Sequence, residues 1–136
     1  MKILVIDGQG GGLGKSLIAA FLKEAPGCDL IALGTNALAT SAMIKAGAAS
    51  GATGEHAIVW QCRDAGLILG ATGILVTGAL MGEMSPAMTT AIGASPALKI
   101  LVPSQRCGLL IAGARPQSLE EAVAEAVRLA LEHLKT

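Results

Sequence analysis

An apolar run, Ile3 to Ile6, leads straight into Asp7-Gly8-Gln9-Gly10-Gly11-Gly12-Leu13-Gly14-Lys15-Ser16. A buried strand that enters glycines and then a helix builds an anion site, because glycine lets the backbone come close and the helix start presents free N–H groups. The segment from Asp7 to Lys15 is therefore the first candidate for holding a phosphate or carboxylate. The alternative is that its glycines serve tight packing of helix on strand. Lys15 would balance phosphate charge or lie solvated at the surface, and Asp7 would cap the helix or ligate a cation. Three further loops share this small, polar character: Gly34-Thr35-Asn36, Gly70-Ala71-Thr72-Gly73 and Ser104 to Arg106. Their hydroxyls, amides and backbone N–H groups suit a small polar anion or nucleotide. Glu83 is the one charge between Ala65 and Leu98. An isolated carboxylate in such a setting pairs across a subunit boundary, lines a site or stands exposed.

These loops need a sheet to bring them together. Lys2 to Asp7 reads as a strand, and Leu13 to Lys23 as a helix with Leu17, Ile18, Phe21 and Leu22 on one face. Asp29 to Leu33 reads as a second strand, followed by a Thr35 or Asn36 cap and a helix from Ala37 to Ala46 that Gly47 stops. Two such units imply a parallel sheet with right-handed crossovers. The stretch Ala48 to Gly54 reads as a loop, Ala57 to Gln61 as a third strand and Gly66 to Leu69 as a fourth. Gly70 to Gly82 stays open between a short strand and a helix start. Ser85-Pro86 opens a helix to Ile92, Lys99 to Val102 is a further central strand, and Leu109 to Ala112 is a last strand at the edge. Ser118-Leu119-Glu120-Glu121 is a capping box, opening a terminal helix whose core face is Leu119, Val123, Val127, Ala130 and Leu134. In an open parallel sheet ligands sit beyond the carboxyl ends of the strands, where the strand order reverses. The candidate loops all fall at that edge.

Composition narrows the partners. The 136 residues fit one domain, and 52% apolar against 15% charged residues suits strands buried on both faces, or an oligomer. Lys plus Arg equal Asp plus Glu at ten each, with five of each sign up to Asp64 and five of each after it. Neither half carries the basic footprint of a nucleic-acid binder. Phe21 and Trp60 are the only aromatic residues, so base-stacking platforms and a catalytic tyrosine are missing. Cys28, Cys62 and Cys107 match neither a disulfide framework nor a zinc spacing and read as free thiols of a cytoplasmic protein. No signal peptide is expected, and no metal. The uncharged run from Ala65 to Gly82 holds five glycines and two threonines, which fits a buried strand plus loop better than a membrane span.

Gly8, Gly12 and Gly14 resemble the G-x-x-x-G-x-G spacing after the first strand of short-chain dehydrogenases, and Leu67 to Gly73 is similar to that family's fourth strand and the turn after it. This resemblance implies a Rossmann-like α/β fold, a mostly parallel sheet of five to six strands with helices on both faces. It also implies NAD(P) or another nucleotide as cofactor. Without any tyrosine, that family's Tyr-x-x-x-Lys pair is absent, and Gly34-Thr35-Asn36 offers no acidic residue for an adenosine ribose. Gly11-Gly12-Leu13-Gly14-Lys15-Ser16 also resembles part of the P-loop of nucleotidases, which implies phosphate and Mg²⁺ roles for Lys15 and Ser16. Taken whole, the chain resembles a bacterial family of short proteins, a domain of unknown function. The resemblance rests on Asp7 to Lys15, Ala32 to Met43 and Met81 to Pro86. The expectation is a binding or sensor protein for a phosphorylated small ligand, a nucleotide or dinucleotide, acting as a homo-oligomer. The alternatives are an NAD(P)-dependent oxidoreductase and a P-loop-like nucleotide hydrolase. The expected binding residues are Asp7, Gly8, Gln9, Gly10, Gly11, Gly12, Leu13, Gly14, Lys15, Gly34, Thr35, Asn36, Gly70, Ala71, Thr72 and Gly73.

Overall fold

The computed structural model describes residues 1–136, with Gln105 described by its backbone alone. Five strands, β1 (Ile3–Asp7), β2 (Leu30–Gly34), β3 (Ser50–Thr53), β4 (Leu67–Ala71) and β5 (Leu98–Val102), form one sheet in the order β3-β2-β1-β4-β5. Every pairing is parallel. Five helices connect and flank them: α1 (Gly12–Glu24), α2 (Ala37–Lys45), α3 (Glu55–Cys62), α4 (Pro86–Ala94) and α5 (Leu119–Leu134). This is the expected Rossmann-like α/β architecture.

Both faces of the sheet are covered, which is why its central strands read as unbroken apolar runs. Ile3 and Val5 of β1 pack with Leu17, Ile18 and Phe21 of α1, Met43 of α2, and Val123 and Val127 of α5. Leu4 and Ile6 face the other way, into a cluster with Ile58 and Cys62 of α3 and Met88 and Ile92 of α4. The helix starts follow their sequence signals. Asn36 accepts from Ala39 N, Ser85 from Met88 N, and Ser118 and Glu121 complete a reciprocal capping box.

Three expectations are corrected. Ala57 to Gln61 is not a strand but lies within α3, and the strand precedes it, inside the stretch read as a loop. Burial of Ile58 and Cys62, four residues apart, is a helical period, and Glu55 supplies the acidic first turn. Leu109 to Ala112 forms no strand; the sheet ends at β5 and these residues lie in the loop before α5. On α5 the buried face is Ala122, Val123, Ala126, Val127 and Ala130, whereas Leu119 is 57% exposed and Leu134 only partly buried. The segment left open, Gly70 to Gly82, finishes β4, makes a 3-10 turn over Thr72–Leu75 and continues as turns.

Candidate functional site at the strand-order reversal

Strand order reverses between β1 and β4, because the chain builds outward from β1 through β2 to β3 and then crosses back to β4 and β5. A cleft of about 720 Å³ opens there, lined by Asp7 to Leu13, by Ala71 and Gly73 after β4, by Ala79 to Met81, by Val102 to Ser104 with Arg106 and Cys107 after β5, and by Leu119. Its position is the one that an open parallel sheet reserves for ligands.

The floor is the loop between β1 and α1. Asp7, 8% exposed, accepts from Gly8 N at 2.8 Å and from Gly14 N at 2.7 Å. Gly14 is the third residue of α1, so the carboxylate satisfies one of the donors that a helix start leaves free. Of the two roles open to Asp7, it takes the capping one. Burial pushes its carboxyl above the usual carboxylate range; the Gly14 and Gly8 N–H groups pull it down, and the nearby Glu83 charge adds to the rise.

The loop's glycines divide into two groups. A Cβ on Gly8 would come within 2.6 Å of both Glu83 Oε1 and Thr35 Oγ1. On Gly11, which has φ of 74°, a Cβ would stand 2.8 Å from the carbonyl oxygen of Ala39, and on Gly14 it would overlap Met43 Sδ. Packing explains these three. Gly10 and Gly12 are different: a Cβ on either meets nothing within 4 Å. Among the described residues, nothing accepts a hydrogen bond from the N–H of Gly10 or Gly12.

The other loops take up different positions. Gly34 closes against α2, where a Cβ would overlap Thr40 Oγ1 and lie 2.6 Å from Thr40 N. Thr35 and Asn36 lie outside the cleft and hold Glu83. Thr35 Oγ1 donates to Glu83 Oε1 at 3.0 Å, Asn36 Nδ2 to Oε2 at 2.9 Å, and Gln9 N to Oε1 at 2.6 Å. Asn36 Nδ2 also donates to Gln9 O at 3.0 Å. Thr72 ties the ends of β4 and β5 together, accepting from Ser104 N at 3.0 Å, and a Cβ on Gly70 would lie 2.9 Å from the carbonyl oxygen of Ile6. Lys15 is exposed and borders a shallow groove with Leu38, Ser41 and Lys45 of α2, away from the cleft. Of the sixteen expected binding residues, the cleft thus gathers Asp7 through Leu13, Ala71 and Gly73. Among the residues it adds, Ser104 and Arg106 belong to a loop expected at this edge, whereas Leu80, Met81 and Cys107 were not expected there.

Glu83 is satisfied inside its own chain by neutral donors, so its carboxylate requires no arginine from a neighbouring subunit. Burial pushes its carboxyl up, but the Gln9 N–H and the Asn36 and Thr35 side chains outweigh this and hold it below its ordinary value. The latch therefore contributes stability that is present above the unfolded carboxylate pKa and is lost as pH falls through the lower folded value. Asp7 has the opposite sign, since a raised folded pKa means that the native state gains by taking up its proton first. In urea denaturation from about pH 6 to about pH 3, Glu83→Gln should lose less stability than the natural chain. Equal losses would show that the carboxylate does not titrate as a latch.

Residues 2–135 match the family described as Domain of unknown function (DUF3842). The comparison with curated proteins gave no match, and neither did that with solved structures.

Proposed function

This chain belongs to the family described as Domain of unknown function (DUF3842), and we propose that it binds a small phosphorylated ligand, a nucleotide first among them, in the cleft beyond β1 and β4. The observation that carries this reading is the division among the glycines: Gly10 and Gly12 face open space, and their N–H groups lack an acceptor among the described residues. Packing gives no reason for glycine at these two positions. A phosphate approaching the backbone at the start of a helix does. The exposed Arg106, in the lining after β5, adds a positive charge.

The reading is of binding or sensing. Asp7 uses both oxygens on backbone N–H groups and Glu83 uses both on the neighbouring loops, so the two carboxylates nearest the cleft serve its architecture. Calorimetric titration of the purified chain with nucleoside diphosphates and pyrophosphate is the test. At least one should bind with a Kd at or below about 1 mM, equivalent to roughly 4 kcal/mol. No binding of any of them at about tenfold higher concentration would overturn the proposal.

A further inference from the structure

The segment between Val76 and Met84 is a strap that folds on itself, with Gly78 N donating to Met84 O at 2.8 Å and Gly82 N to Gly78 O at 2.9 Å. Glu83 fastens it to the loops after β1 and β2 through the bonds from Gln9, Thr35 and Asn36. In a dinucleotide site of this fold, the end of the second strand receives the adenosine ribose. Here that place is taken by the chain's own carboxylate. Gly34, Thr35 and Asn36 are consequently absent from the cleft's lining, and the space lies on the β4 and β5 side alone. Leu80 sits over Gly8, its Cδ1 2.9 Å from where a Cβ would be, and Met81 is 93% exposed at the cleft wall. Gln9, Leu80 and Met81 are the non-glycine residues with left-handed φ among those described, at 50°, 57° and 56°, and all three line this cleft. An exposed thioether held in an unfavourable backbone is a poor surface residue, but its polarizable sulfur makes favourable contacts with an aromatic ring.

Resting on the reading of the cleft as a phosphate site, we propose that the strap makes it a mononucleotide site. The glycine loop takes the phosphates, Met81 covers the base, and the Glu83 latch shuts out the second nucleoside of a dinucleotide. This argues against the NAD(P) that the glycine spacing implied.

Calorimetry of the full chain with ADP, GDP, UDP, pyrophosphate and NAD tests this. The best of the three diphosphates should bind at least about tenfold tighter than pyrophosphate, and NAD should bind no tighter than that diphosphate. Met81→Gly suits a left-handed φ and should leave the melting temperature unchanged or higher, so loss of fold does not confuse the result. It should weaken the nucleotide about tenfold and leave pyrophosphate unchanged, while Met81→Leu keeps nucleotide affinity. Unchanged nucleotide affinity in Met81→Gly, or NAD tighter than every diphosphate, would overturn the inference. Pyrophosphate bound with no preference for nucleotides defeats this inference alone; no binding of any probe defeats the phosphate reading as well.

Discussion

Gly12→Val should abolish measurable binding of pyrophosphate and nucleotides, a loss of at least about 100-fold or roughly 3 kcal/mol, while the far-ultraviolet circular dichroism and melting temperature stay unchanged. Gly12 is the first residue of α1, and a Cβ there meets nothing within 4 Å, so the fold has room for the larger side chain. Valine is also a better helix residue than glycine, which leaves no propensity cost to confuse the result. What the side chain fills is the space over the helix start, where an anion must come within hydrogen-bond distance of backbone N–H groups. Gly11→Val is the informative contrast. Its φ of 74° and the Ala39 backbone 2.8 to 2.9 Å from a Cβ make it a folding defect, so it should lose binding and stability together. Full affinity in Gly12→Val would move the phosphate site away from this loop.

How far the sequence announced this arrangement differs from element to element. The first strand, its glycine loop and α1 were legible because a buried parallel strand, a φ-permissive turn and an amphipathic helix each leave a local signature within the first twenty-four residues. The caps at Asn36, Ser85 and Ser118 were equally local. β3 was not legible. Ser50-Gly51-Ala52-Thr53 is an edge strand of small residues, largely exposed, with no apolar alternation to mark it; what makes it a strand is the neighbouring backbone of β2. The strand expected over Ala57 to Gln61 belongs instead to α3.

The cleft was legible in part for the same reason. Strand ends in a parallel sheet can be placed from sequence, so the loops at the carboxyl edge were found, but their distances from one another could not be. Thr35 and Asn36 donate to a carboxylate 47 to 48 residues away, a pairing that no local pattern announces. Glu83 drew attention as a lone charge, yet its actual partners are an amide, a hydroxyl and a backbone N–H, which carry no charge for a pairing argument to find. The left-handed Leu80 and Met81 were invisible because neither residue type favours that conformation; only the flanking Gly78 and Gly82, with φ of 85° and 91°, hinted at a sharp turn.

Asp7→Ala should cost about 2–6 kcal/mol in urea denaturation and weaken anion binding with it. The carboxylate is almost wholly buried and accepts from Gly8 N and Gly14 N, so removing it strands two backbone donors, each worth about 1–3 kcal/mol when left unsatisfied. Against a domain stability of about 5–15 kcal/mol, this is one of the larger losses a single side chain here can cause. Asp7→Asn separates the contributions. Its amide retains one acceptor for two donors and removes the charge that burial and Glu83 disfavour, so it should recover part of the stability. An Asn variant no better than Ala would mean that the ionised carboxylate is what the two N–H groups require. An Ala variant as stable as the natural chain would mean that water replaces the carboxylate at both N–H groups, and that Asp7 does not hold the loop in the shape the anion needs.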